Sequence, residues 1–240
     1  MLGKNFFIQK FLVKHKIDAM SHFSILGKKS KIPSIYWQPD FQEVNNAEYI
    51  SFKRKIFRRL NIYLFGYHSN RVLLSSNTVR KTLKKINFEA YKKSDVLKPT
   101  FSNLPIKSFK SIEYIKKKFN IKSNYFFLPN HFWTHKNHIL VLQSLIELKK
   151  KKKLKNIQIV CTGLFNDYRN PNHKNKIIEY IKINRLENNF IILGIVNFDE
   201  LMSLMKFSVA VINPSKSEGW SSTVEQAKSM GKFVLLSNLP

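Results

Sequence analysis

The sequence is short of cysteine, of acidic residues and of long apolar runs, and each shortage removes a class of protein. Cys161 is the single cysteine among 240 residues, so no internal disulfide framework exists and the chain fits a reducing, cytoplasmic compartment. It closes the apolar run Ile157–Cys161, which reads as a buried strand, so the thiol belongs to the core and not to nucleophilic chemistry. No apolar stretch approaches the roughly 18 residues of a membrane span. The opening segment Asn5–Lys14 is basic and amphipathic but lacks a small-residue cleavage site, which argues against a signal peptide. It is read as a helix packed on a sheet, with an anionic bilayer at the inner face of the membrane as the alternative partner. Internal repeats and low-complexity linkers are also missing.

The acidic shortage, 15 Asp and Glu against 42 Lys and Arg, leaves a formal net charge of +27. Such a balance suits a nucleic-acid or anionic-membrane partner. Most of the cations are lysines scattered over helical surface positions among many Asn, Ile and Phe, however, and these residues share A/T-rich codons. Composition accounts for the excess equally well. The aromatics fall inside apolar strand and helix patterns and are not interleaved with basic residues, which speaks against a specific nucleic-acid module.

What the chain does have is a hydrophobic share of 43% with 20 Phe, enough for a sizeable core. Strands alternate with helices almost throughout, giving an α/β class with parallel sheets. Expected strands are Ile17–His22, Ile32–Trp37 and Arg71–Ser76, then Tyr125–Leu128, Ile157–Cys161, Phe190–Leu193, Val209–Ile212 and Phe233–Leu236. Helices are expected at Ala47–Phe65, after a cap at Asn77 or Thr78, and at Ser111–Phe119, Ile139–Lys150, Lys174–Asn184, Asp199–Lys206 and Ser222–Met230. Ser94–Pro105 reads as extended chain punctuated by two prolines. Two Rossmann-like units in tandem are the simplest architecture: 1–105, a connection at 106–122, and 123–240.

The stretch Ile212–Glu225 carries the most chemistry. A strand ends at Asn213 and Pro214 opens a loop at the carboxyl edge of the sheet, where ligands of open α/β sheets bind. Gly219 permits close backbone approach. The following helix offers unpaired N–H groups at Ser222 and Thr223 that suit a phosphate. Ser222 and Glu225 also have the spacing of a capping box, so Glu225 reads either as a ligand contact or as a helix cap. Earlier in the chain, Lys136 stands at a helix start, five residues after His131 in the run Leu128–His138. Spacing alone leaves a zinc reading of His131, His135 and His138 open, without a Cys or carboxylate to complete a set.

These features resemble the GT-B glycosyltransferases of family 4, the "glycosyl transferases group 1" family. Pro214-Ser215, then Glu218-Gly219-Trp220-Ser221, Glu225 and Gly231 follow the order of the family's signature. Trp220 stands for the usual Phe, Ser221 for Gly and Phe233 for Pro, and six residues separate the glutamates where seven are commoner. The resemblance implies that Glu218 contacts hydroxyls of the donor sugar and Glu225 the nucleotide ribose. It implies that Lys136 neutralises the donor diphosphate, with His131 on the position of an Arg, and it matches Val160–Gly163 to a strand ending in Gly. In the amino-terminal half Ser21-His22, Trp37–Gln42 and Val72–Ser76 resemble acceptor-domain passages, which makes His22 and Asp40 candidates near the reacting sugar.

The implied fold is GT-B: two Rossmann-like domains with parallel sheets facing a cleft, both incomplete. The family's first strand and Gly-rich loop have no counterpart here, and the chain stops where the family continues. The implied reaction moves a sugar, with retention, from a nucleoside diphosphate sugar to a hydroxyl on a glycan, lipid-linked or other acceptor. No metal or cofactor is implied. A nucleic-acid- or anionic-membrane-binding protein, a GT-B sugar-nucleotide epimerase and an inactive fragment are the alternatives.

Overall fold

The computed structural model describes residues 6–22, 26–27, 30–41, 44, 51–101 and 109–239. They form two compact units. The first runs Met1–Pro99 and takes in Glu218–Trp220; the second holds Thr100–Ser217 and Ser221–Leu239. Asn5, Gln42, Ala47 and Pro105, which bound segments expected from the sequence, lie outside the described residues.

The first unit contains α1 (Phe6–Lys14), β1 (Met20–Ser21), β2 (Ser34–Gln38), α2 (Phe52–His68), β3 (Arg71–Leu74), α3 (Asn77–Ile86), α4 (Phe88–Lys92) and β4 (Ser94–Val96). Its sheet has the order β1-β2-β3-β4 and every pair is parallel. Parallel neighbours need crossover connections, which the helices between these strands supply. The core is built from Phe41, Ile62, Val72, Leu74, Val79 and Leu83. Gly66 lets α2 approach α4, since a Cβ there would lie 2.8 Å from that of Ala90.

Three features differ from expectation. The cap of α3 is Ser76, whose Oγ accepts the Val79 N–H at 3.2 Å, not Asn77 or Thr78. Asn87 then accepts the Ala90 N–H and starts α4, and β4 forms inside the stretch read as extended connection.

The second unit contains α5 (Ile112–Phe119), β5 (Tyr125–Pro129), a 3-10 turn (Thr134–Lys136) and α6 (His138–Lys150). It continues with β6 (Gln158–Thr162), α7 (His173–Ile183), β7 (Phe190–Ile192), α8 (Phe198–Phe207), β8 (Val211–Asn213), α9 (Ser222–Ser229) and β9 (Val234–Leu236). The all-parallel sheet runs β7-β6-β5-β8-β9. Alternating side chains of the central strands feed opposite faces. Leu128, Ile159 and Cys161 pack with Leu142 and Ile177 under α6 and α7, while Tyr125, Phe127, Val160 and Val211 pack with Ile115 and Met202 under α5 and α8. Burial of Cys161 pushes its thiol well up, so it stays protonated and unreactive. No helix among the described residues is long and apolar enough to cross a membrane.

Candidate functional site

In the second sheet the strand order reverses at β5: β6 and β7 lie on one side, β8 and β9 on the other. The crevice outside the carboxyl ends of strands at such a reversal is where open α/β sheets bind ligands. A cavity of about 420 Å³ opens there. Its lining comes from the end of β5 (Asn130, His131), the end of β6 (Thr162, Gly163), the turn (Lys136) and one face of α9 (Ser222, Thr223, Gln226).

The edge is fastened by a chain of amides and hydroxyls. Asn130 Nδ2 donates to Asn213 Oδ1 at 3.2 Å, Asn213 Nδ2 donates to Ser221 Oγ at 2.9 Å, and Ser215 Oγ donates to Asn213 Oδ1 at 2.9 Å. Ser221 is thereby placed as the N-cap of α9, accepting the Val224 N–H at 3.4 Å. The cap sits one residue before the expected capping box, so Glu225 is one position too deep to close it. Its Oε1 instead takes Lys228 Nζ at 3.0 Å. Gln226, on the face shared with Ser222 and Thr223, lines the cavity where Glu225 was expected to reach. Gly231, at φ 64°, ends the helix in the left-handed conformation that glycine tolerates.

Gly163 has a structural reason to be glycine. Its φ is +126°, and a Cβ would come within 2.7 Å of the Asn130 carbonyl oxygen. His131, on the position of an Arg in the resemblance, accepts the Leu164 N–H on Nδ1 at 2.8 Å. That bond uses Nδ1 as an acceptor, so the donor of this ring is Nε2.

Lys136 is carried by the 3-10 turn, two residues before α6, and the turn is held from below. Buried Asp167 accepts the Thr134 N–H at 2.8 Å, Thr134 Oγ1 at 2.9 Å, the Arg169 N–H at 3.1 Å and Arg169 Nε at 3.0 Å. Burial raises its carboxyl, but these donors outweigh burial and hold it below the usual range. Arg169 also reaches His135 Nδ1 at 3.3 Å. Burial first, then Lys136 and Arg169, push His135 down to about 4, so it accepts as a neutral ring. His138 is fully buried, stacked on Phe132 at 4.1 Å, and neither ring nitrogen has a hydrogen-bond partner. The three histidines of the zinc reading thus have separate surroundings. No trio of His, Cys, Asp or Glu among the described residues is placed to hold a metal ion.

The other candidates belong to the first unit. His22 and Asp40 follow β1 and β2 and so stand at one edge of that sheet. His22 adopts φ 68° with Nδ1 2.8 Å from Ser21 Oγ, and Asp40 is half-buried. Glu218 is half-buried beside Gly219, where a Cβ would collide with the Pro39 carbonyl oxygen, and Trp220 Nε1 donates to the Pro99 carbonyl at 2.8 Å. Sequence reasoning did not single out Gln226, Asp167, Arg169 or Asn130; the Asp167-x-Arg169 pair after a strand ending in Gly was the available signal.

Among solved structures the fold recurs widely. A glycosyltransferase from Rickettsia africae ESF-5 matches with TM-score 0.67 and 18% identity, over 97% of this chain and 61% of that one. Anabaena Alr3699/HepE in complex with UDP-glucose matches with TM-score 0.74 and 16% identity, over 96% and 62%. Sucrose-phosphate synthase from Thermosynechococcus elongatus matches with TM-score 0.72 and 11% identity, over 97% and 59%. The chain therefore spans about three-fifths of the length of these structures. The shared architecture is the GT-B type, two Rossmann-like units of parallel sheet. No curated protein matches the sequence. The family described as glycosyl transferases group 1 matches residues 111–240, more than half of the chain and the whole lining of the cavity. With its parallel sheets, its cavity at the strand reversal and that match together, the chain belongs to the glycosyl transferases group 1 family.

Proposed function

We propose that the chain is part of a glycosyltransferase that moves a sugar from a nucleoside diphosphate sugar to a hydroxyl acceptor with retention at the anomeric carbon. The observation that carries the reading is the cavity beside β5, which combines Lys136, the His131 ring and the first turn of α9. The first N–H groups of a helix lack partners within it and favour an anion, and a lysine adds full charge to that field. The developing negative charge on the leaving diphosphate is the main electrostatic load of such a transfer, and this set of donors answers it. Gln226 and the neighbouring hydroxyls of Ser222 and Thr223 face the nucleoside, Glu218 takes hydroxyls of the sugar, and His22 and Asp40 stand on the acceptor side. The acceptor is a glycan, a lipid-linked saccharide or another hydroxyl compound, and the enzyme works in the cytoplasm with peripheral contact at an anionic membrane. This reading calls for no metal or cofactor.

Calorimetry against a panel of nucleoside diphosphates and their sugars tests it. Lys136→Ala should weaken a nucleoside diphosphate about tenfold to a hundredfold, the range for a hydrogen bond to a charged group, and leave the bare nucleoside unchanged. Glu218→Ala should weaken the nucleotide sugar more than the free nucleotide. If Lys136→Ala binds the diphosphate as tightly as the parent, the reading of this cavity fails.

A further inference from the structure

Helix α2 presents to solvent the kind of face that a globular protein normally buries. Phe52, Ile56, Leu60, Tyr63 and Tyr67 are all exposed, Phe52 by 75% and Leu60 by 52%. They recur at the three- and four-residue spacing that fills one sector, roughly 80° wide, at about 100° per residue. Phe57, 63% exposed, extends the sector on one side. The helix packs on the unit's core through Ile62 and Gly66, which lie to one side of this sector. Lys53 and Arg59 border the apolar sector on its two sides, with Arg54, Lys55 and Arg58 behind them, and the helix has no acidic residue.

We infer that this outer face of α2 docks on an anionic lipid bilayer. The helix would lie flat, with the aliphatic and aromatic stripe in the acyl–headgroup boundary, Lys53 and Arg59 against lipid phosphates, and the two tyrosines at the interface that suits their amphipathic rings. Charge selects this occupant. Apposing two copies of the face would set two acid-free clusters of cations against each other, whereas a negatively charged leaflet complements them. A nucleic-acid duplex would satisfy the cations and give Ile56 and Leu60 nothing. The inference rests on the peripheral-membrane part of the proposed function, and nucleotide binding measured on the same samples keeps the two separable.

The test is co-sedimentation of the full chain with phosphatidylcholine vesicles, with and without a third of phosphatidylglycerol. The parent should bind the anionic vesicles strongly and the neutral ones weakly. Each basic residue near the headgroups strengthens binding roughly fivefold, so Lys53→Glu with Arg59→Glu should weaken it by more than about tenfold. Replacing Ile56, Leu60 and Tyr63 by Ser should weaken it at least about tenfold while leaving the thermal melt and nucleotide affinity at the parent's values, since none of the three packs in the core. Equal binding to both vesicle types, no binding to either, or full binding by the serine variant overturns the inference. So does binding to duplex DNA that the charge variant loses and the serine variant keeps, which would assign the face to nucleic acid. A concentration-dependent dimer abolished by the serine variant would assign it to a second copy of the chain.

Discussion

His138 is a histidine that folding strips of water and sets against the face of Phe132, with the Asn130 backbone returning only part of what burial removes. Burial first, and the nearby His173 second, push its pKa down to about 3, against about 6.5 in an unfolded chain. The folded value is depressed, so stability is fully present above the unfolded pKa and is lost as pH falls toward the folded one. At about pH 5 the unfolded imidazole is roughly thirtyfold protonated and the folded one hardly at all, which removes about 2 kcal/mol relative to neutral pH. The assay is urea denaturation of the parent and of His138→Phe, which keeps an aromatic ring against Phe132, at neutral pH and at about pH 5. Contributions from carboxylates and from His135 are common to both proteins and cancel in the comparison. The parent should lose about 2 kcal/mol more than the variant, a midpoint difference on the order of 1 M urea. Equal losses would refute the claim that His138 is held neutral in the fold.

Three further outcomes are expected. Gln226→Ala should weaken nucleoside diphosphate binding by about threefold to tenfold, the worth of an uncharged hydrogen bond, whereas Glu225→Ala should leave it near the parent's value; the reverse order in calorimetry would return the contact to Glu225. Gly163→Ala should destabilise the second unit by about 2 kcal/mol or more, through a positive φ and the 2.7 Å approach to the Asn130 carbonyl, and a thermal melt unchanged from the parent would contradict the geometry. Binding to duplex DNA should show no base preference and fall steeply with added salt, because counterion release supplies it; a salt-resistant, sequence-selective complex would count against an enzyme.

The second unit was legible because its central strands are continuous apolar runs with a polar exit, as in Tyr125–Pro129 and Gln158–Thr162, and such runs specify buried parallel strands. Strand β4 escaped notice because Ser94-Asp95-Val96 has one apolar residue and is recruited by its ladder with β3. Of the residues that line the cavity, Lys136, Gly163, Ser222 and Thr223 had been picked out from order along the chain. Gln226 was not, because the difference between it and Glu225 is one step of about 100° around a helix whose cap register depends on Asn213 reaching Ser221. Asp167 was invisible for another reason: its partners at Thr134 lie across the fold, and no local pattern announces them. The face of α2 is a third case. Periodicity reveals an apolar stripe, but only packing decides which stripe is covered.

The ladder between β5 and β8, which pairs Phe127 with Val211, joins segments that the chain keeps far apart. A parallel sheet has no hairpins to nucleate it, and contacts of such long range are slow to form. The cavity is made of both sides of that ladder, β6 on one and α9 on the other. It is therefore incomplete until α9 has docked beside β5. Occupancy of the cavity by a ligand would report that α9 has docked beside β5, and a ligand present during refolding would select molecules that have made this junction from those that have not.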